Sequence, residues 1–181
     1  MNVDGSVAIV TGAAGGIGSA LARGLIAGGA RVVATDLDEQ ALTRAAAEVD
    51  PTGDNVATLA GDAGSPDHID ATIALAQSRF GPVDMYVANA GIGGRPGLSA
   101  TDADWDVALN VNVLAHVRAA RRLVPEWVER GGGYFVSTAS AAGLLTQIGS
   151  AIYSTTKHAA VAFSEWLSVT YGDAVSYTHL R

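Results

Sequence analysis

Short β-branched runs alternate along the chain with stretches whose apolar residues recur every three or four positions, the pattern of a parallel sheet covered by helices. Ser6 to Val10, Arg31 to Thr35, Asn55 to Ala60, Val83 to Ala88 and Tyr134 to Thr138 read as five strands. A first helix is expected from about Gly16, with Ile17, Ala20, Leu21, Gly24 and Leu25 on its buried stripe. Leu42, Ala45, Ala46 and Val49 mark a second, which Pro51 and Gly53 end. Ser65-Pro66 combines a hydroxyl cap with proline at the first helical position, and Ile69, Ile73, Ala76 and Phe80 continue that helix to Gly81-Pro82. Gly91 to Gly97 reads as a loop before a long helix over about Trp105 to Glu129, which Gly131 to Gly133 stop. The last helix, Ile152 to Tyr171, is apolar nearly all round. Its Phe163, Trp166, Leu167 and Val169 cannot all face one sheet, so it is expected either to meet another subunit or to be buried on two sides within one chain. The architecture implied is α/β, a Rossmann-like doubly wound parallel sheet in three layers.

Composition narrows the partners. A chain of 181 residues, 49% hydrophobic and 16% charged, suits one compact domain. Its net charge of −7 argues against an electrostatic grip on nucleic acid or anionic lipid, and favours a small-molecule partner. Arg118, Arg121 and Arg122 lie at helical spacing and read as a solvated face. There is no cysteine, and His68, His116, His158 and His179 form no pair at metal-ligand spacing, so no metal site is expected and each histidine reads as a packing or surface residue. The first residues lack the basic region of a secretion signal and no membrane span is apparent, and the lack of cysteine is compatible with the cytoplasm. Arginine occurs ten times and lysine once, so the position of Lys157 needs a reason.

Thr11-Gly12-Ala-Ala-Gly15-Gly16-Ile17-Gly18 stands between a strand and a helix, the context of a phosphate-cradling loop. Glycines permit the turn and close backbone approach, and the helix start offers unpaired N–H groups to a pyrophosphate. Asp36 ends the second strand eighteen residues beyond Gly18, near the separation expected of a ribose-binding carboxylate. Such a carboxylate would repel a 2′-phosphate, and no Arg or Lys stands at Ala13, Ala14 or Leu37 to attract one, so NAD is favoured over NADP. The bland alternative for Asp36 is a solvent-exposed turn residue.

Tyr153 and Lys157 are four apart at the start of a helix and so share one face. A free phenol is a poor base at neutral pH, and a neighbouring ammonium favours its charged form. Ser140 lies thirteen residues before Tyr153, just past the C-terminal end of the fifth strand, the edge where open α/β sheets place their ligands.

Together these motifs resemble the short-chain dehydrogenase/reductase family, of the classical type. The glycine spacing, three residues between Gly12 and Gly16 and one between Gly16 and Gly18, is similar to that family's loop. Asp62, with Ala63 after it, resembles the family's adenine-contacting aspartate, and Asn89-Ala90-Gly91 its motif after strand four. Ser140 resembles the catalytic serine, although Ser137, Thr138 and Ser150 are nearby hydroxyls. Asn112 resembles the helix asparagine that holds a proton-relay water, with Asn110 as competitor. The resemblance implies an NAD-linked oxidoreductase that interconverts a secondary alcohol and a ketone. Ser140 would bind the substrate oxygen and Tyr153 act as general acid/base, while Lys157 would hold the nicotinamide ribose and stabilise the phenolate. It also implies a homo-oligomer, dimer or tetramer, for the full-length protein.

The match runs from Val7 to about Asp173, and members typically continue with further strands and a substrate-covering loop. The expectation is therefore an NAD-binding Rossmann domain over 1–175, C-terminally truncated and lacking its last strands. Ala174 to Ser176 could begin a sixth strand, whereas Tyr177 to Arg181 does not continue the pattern, so 176–181 reads as a non-native tail and the edge of strand five is expected to be bare. Two other readings follow, an inactive fragment and a dinucleotide-binding protein without turnover. Ile92 to Gly97 and Gly143 to Ser150 are expected to line the pocket, with Leu144, Leu145 and Ile148 suiting a partly apolar ligand.

Overall fold

The computed structural model of the protein describes residues 2–94, 97–173 and 176–180. The chain falls into two compact units, Met1–Ala90 and Gly91–Arg181. The first is built from β1 (Val7–Thr11), α1 (Gly16–Ala27), β2 (Arg31–Asp36), α2 (Glu39–Val49), β3 (Val56–Ala60), α3 (Pro66–Arg79) and β4 (Met85–Ala88). Its strands are parallel in the order β3-β2-β1-β4, with Thr11 opposite Thr35, Asp36 opposite Ala60 and Val10 opposite Val87. The chain moves one way across the sheet from β1 to β3 and then returns to the far side of β1. Right-handed crossovers therefore put α1 and α2 on one face, where they touch, and α3 on the other. Strands β1 and β4 are buried throughout, which is why they read as unbroken apolar runs rather than alternating ones. The order reverses between them, so their C-terminal ends flank the crevice where such sheets bind ligands.

Helix α1 corrects the sequence reading. It buries Gly18 and Ala22, while Ile17, expected on the inner stripe, is 59% exposed and Ala20 and Gly24 are exposed as well. The face is set by Gly18, where a Cβ would run into the Gly12 carbonyl oxygen and lie 2.7 Å from its carbon. That close approach outranks the burial of one isoleucine. Helices α2 and α3 start as their cap residues direct, Asp38 accepting from the Ala41 N–H at 2.9 Å and Ser65 preceding Pro66.

The second unit contains α4 (Asp102–Leu109), α5 (Ala115–Arg130), β5 (Tyr134–Thr138), α6 (Ala151–Tyr171) and β6 (Ser176–Leu180). The single helix expected over 105–129 is two helices. Thr101 and Asp104 form a reciprocal capping box that starts α4 at Asp102, and a π-helical turn, Asn110–Leu114, separates it from α5. Gly131, with φ +75°, closes α5 in the left-handed region that favours glycine. The bare edge expected at strand five is also corrected, because β6 pairs with β5 in parallel register from Tyr134 opposite Ser176 to Thr138 opposite Leu180. Ala174, where that strand was expected to begin, and Arg95 and Pro96 of the expected pocket loop lie outside the described residues. Helix α6 buries Ile152, Thr156, Lys157, Ala160, Ser164 and Leu167 on one face. Trp166 and Val169 stay exposed, so the apolar circumference of α6 is not used up within the chain.

Candidate active site

In the first unit the glycine loop is drawn tight by one threonine. Thr11 Oγ1 accepts the N–H of Asn89 and of Ala90, each at 2.9 Å, and donates to the Val87 carbonyl at 3.2 Å. The Asn89 amide then donates to the carbonyls of Thr11 (2.9 Å) and Gly12 (3.2 Å), tying the exit of β4 to the exit of β1. Gly12 has φ +64°, and a Cβ on it would stand 3.0 Å from Ala90 Cα, so glycine is required there. Gly16 differs, since a Cβ on it would meet nothing within 4 Å. Gly15 caps α1 with no side-chain bond, which leaves the amides of the first turn to a ligand. Open space over uncapped amides fits a pyrophosphate.

The Asp36 carboxylate stands at the end of β2, where Oδ2 accepts the Ala14 N–H at 3.0 Å and Oδ1 the Asp38 N–H at 3.2 Å. Asp36 is thus joined to the loop it was expected to serve, rather than being a free turn residue. Gly61 donates to the Asp36 carbonyl at 2.9 Å, which brings the following Asp62 and Ala63 to the same sheet end. Asp62 is exposed and accepts the Gly64 N–H at 2.8 Å.

In the second unit Asn112 and Asn110 part company. Asn112 is 0% exposed inside the π turn, where Nδ2 donates to the Ile92 carbonyl and to Thr156 Oγ1, both at 2.9 Å, and Oδ1 accepts the Ile92 N–H at 2.8 Å. Asn110 instead accepts from Arg118, which is therefore half-buried rather than fully solvated as expected. Gly91 is exposed beside Ile92. Ser140 caps a short 3₁₀ turn over Ala141–Gly143 by accepting the Ala142 N–H at 3.1 Å.

Tyr153 and Lys157 lie one turn apart on α6, with the Lys157 ammonium 5.7 Å from the centre of the Tyr153 ring. Lys157 is 3% exposed and donates to the Thr138 carbonyl, the last of β5, at 2.7 Å. Burial lowers its pKa below the ordinary lysine value. His116, one turn after Asn112 on α5, is 1% exposed. Its Nδ1 lies 3.0 Å from Ser137 Oγ and its Nε2 has no hydrogen-bond partner. Burial, helped by the Lys157 charge, lowers its pKa to about 3. The described residues hold no cluster of three or more potential metal ligands, and no helix among them is long and apolar enough to cross a membrane.

The family model for short chain dehydrogenase matches residues 6–176. The chain belongs to the short-chain dehydrogenase family. The 1-deoxy-11-beta-hydroxypentalenate dehydrogenase of Streptomyces exfoliatus is 36% identical over 175 residues, covering 92% of this chain and 62% of that protein. The 3beta-hydroxysteroid dehydrogenase 2 of Eggerthella lenta is 31% identical over 172 residues, 93% of this chain and 66% of that protein. A short chain dehydrogenase/reductase from Burkholderia phymatum, solved in complex with NAD, matches with a TM-score of 0.93 at 31% identity, covering 99% of this chain and 66% of that one. That likeness gives the chain the Rossmann-like α/β fold of the family. The chain spans about six tenths of the length of the curated relatives it matches.

The motifs of this short-chain dehydrogenase give no role to Thr11, which stands in the loop, none to Ser137 and Thr138 beyond that of hydroxyls near Ser140, and none to Thr156 or to the pairing of His116 with Ser137. Thr138 acts through its carbonyl, which side-chain chemistry does not advertise. The others pair across 44 and 21 positions of sequence, beyond any local pattern.

Proposed function

We propose that this protein is an NAD-linked oxidoreductase interconverting a secondary alcohol and a ketone, with Tyr153 as general acid/base. The observation that carries the reading is the buried Lys157 ammonium, fixed on the Thr138 carbonyl and set beside the Tyr153 ring. A cation so placed favours the phenolate that Tyr153 must present as base, which becomes the neutral phenol when it takes the substrate hydroxyl proton. Ser140 orients the substrate oxygen by hydrogen bonding. Asn112 holds the water through which the proton leaves, and Lys157 also holds the nicotinamide ribose. Bound NAD supplies the hydride acceptor. Gly12, Gly16, Ile17 and Gly18 receive the pyrophosphate and Asp36 the adenosine ribose, with Asp62, Ala63, Asn89, Ala90 and Gly91 completing the cofactor's walls. Asp36 supports NAD over NADP, since its carboxylate is already fixed by two amides and would repel a 2′-phosphate.

Exposed Leu144, Leu145 and Ile148 suit a partly apolar substrate. Ile148 also lines, with Leu98, Gln147, Ser154 and His158 among others, a cavity of ≈ 600 Å³ in the second unit. The apolar groove between α5 and α6, with Val124, Val128, Phe163 and Trp166, supports a homo-oligomer. The cytoplasm suits a chain of this composition.

The test is reduction of NAD by a panel of secondary alcohols, followed by Tyr153→Phe in a version of the family's full length. The variant should lose turnover and keep NAD affinity nearly unchanged. Wild-type turnover in Tyr153→Phe would refute the assignment, and binding of NAD without its reduction by the parent would leave a dinucleotide-binding protein.

A further inference from the structure

We infer that His68 is a positioning residue for the adenosine end of the cofactor, a wedge that holds the two strand ends carrying Asp36 and Asp62. This rests on the reading that those two carboxylates serve the dinucleotide. His68 lies in the first turn of α3, and its Nε2 is 2.6 Å from Thr35 Oγ1 and 3.4 Å from Thr72 Oγ1. Thr35 is buried and immediately precedes Asp36, and its carbonyl accepts the Ala13 N–H at 3.1 Å, so the residue His68 grips also borders the glycine loop. The other side of the imidazole stands against Gly61, which immediately precedes Asp62. A Cβ on Gly61 would lie 2.8 Å from His68 Cγ and nearer still to Nδ1 and Cε1, so ring and backbone are in direct contact.

The backbone that carries the ring is held as well. The His68 N–H is directed at the Ser65 hydroxyl at 3.4 Å, and Thr72 Oγ1 donates to the His68 carbonyl at 2.7 Å. Partial burial lowers the imidazole pKa, against the opposing pull of Asp62, which favours a neutral ring at neutral pH. One side chain thus touches the residue before each carboxylate, and the Gly61 N–H on the Asp36 carbonyl closes the frame between them. If this frame loosens, the ribose-facing and adenine-facing carboxylates lose their separation before anything at the nicotinamide end is disturbed.

The test uses isosteres that copy one ring nitrogen each. A glutamine amide reaches the place of Nε2, and an asparagine amide only that of Nδ1. Dissociation constants of NAD and of ADP-ribose, which lacks nicotinamide, are measured by calorimetry on the whole chain for the parent, His68→Gln, His68→Asn and Thr35→Val. His68→Asn and Thr35→Val should weaken both ligands by the same factor, about tenfold for one lost hydrogen bond. His68→Gln should stay within about twofold of the parent, since it keeps that bond. A merely structural histidine would lower the thermal midpoint without separating Gln from Asn in affinity. Equal affinities in parent and Asn variant, or equal losses in Gln and Asn variants, overturn the inference. Should the Asn variant fail to fold, unchanged affinity in the near-isosteric Thr35→Val overturns it alone. A parent that binds neither ligand sinks the cofactor reading and the inference with it, whereas a parent that binds both while His68→Asn matches it sinks the inference only.

Discussion

Thr11→Val removes one oxygen and nothing else of consequence in volume, which makes it a sharp probe of the loop. In the native chain Thr11 Oγ1 accepts two amide N–H groups, from Asn89 and Ala90 at 2.9 Å each, and donates to Val87. With valine, both amides face a methyl group. An unsatisfied buried donor costs about 1–3 kcal/mol, and Asn89 and Ala90 are only half-buried, so partial rehydration puts the total near ~2–4 kcal/mol. For a chain of this size that corresponds to a fall of roughly 5–15 °C in thermal midpoint. Urea and thermal unfolding would measure it, with Thr11→Ser as the control. Serine keeps the hydroxyl and loses a buried methyl, costing about 1 kcal/mol. Valine must therefore be the less stable of the two. A Thr11→Val protein as stable as Thr11→Ser would show that the hydroxyl is not what holds the ends of β1 and β4 together.

Four further outcomes are expected. Gly18→Ala, whose Cβ would lie 2.8 Å from Asn89 Nδ2 and closer to the Gly12 carbonyl oxygen, should cost about 1–3 kcal/mol by overpacking and reduce NAD affinity. Gly16→Ala meets only open space and should leave the thermal midpoint nearly unchanged while weakening NAD, and parallel behaviour of the two variants would contradict the cradle. His116, with a folded pKa of about 3 against an ordinary 6.5, binds its proton more readily when unfolded, so it should contribute stability above pH ~6.5 that is lost as pH falls towards 3. Urea midpoints between about pH 6 and pH 4 should fall less steeply in His116→Gln than in the parent, and equal slopes would disprove the burial argument. Because Lys157 is the single lysine, a chain labelled with ¹³C at lysine Cε should give one signal that titrates below the ordinary lysine value, and an ordinary midpoint would mean that the ammonium is not buried.

The strands were legible because a parallel sheet buries both faces and so writes apolar runs bounded by glycine and proline, as at Val7–Thr11 before Gly12 and Met85–Ala88 before Asn89. Periodicity failed at α1 for a physical reason. It assigns bulky residues to the inside, while the inner face is chosen by the one position, Gly18, that can touch the Gly12 carbonyl. The π turn at Asn110–Leu114 has no composition of its own and differs from an α-helix by a single hydrogen-bond step, so a run from Trp105 to Glu129 looks continuous. Spacing from Trp105 favours Asn112 over Asn110, and the structure parts them by their partners, the Ile92 backbone and Thr156 for one and Arg118 for the other. His68 and His116 form no metal-ligand pair and read as packing or surface residues, and their hydroxyl partners stand 33 and 21 residues away, beyond any local pattern.

Several features that a fold alone would not select gather around Lys157. The ammonium is buried on a neutral carbonyl, which costs desolvation that an apolar side chain of the same length would not incur. The neighbouring Thr156 takes the amide of Asn112 from a helix broken into a π turn, at the expense of regular α-helical hydrogen bonding. One turn further, His116 keeps a buried nitrogen without a partner and is held uncharged in part by Lys157 itself. Each departure on its own has a structural explanation. Their convergence on the one lysine of the chain does not, because independent defects would be scattered through the core rather than joined to Lys157, to its neighbour Thr156 and to a histidine that feels its charge. Sites that violate local rules and shift titration together are where chemistry is carried out. Tyr153 as the proposed acid/base is supported less by the four-residue spacing to Lys157, which chance supplies often, than by how much of the surrounding structure is arranged at a cost in stability to keep that one cation buried, on the Thr138 carbonyl and beside the ring.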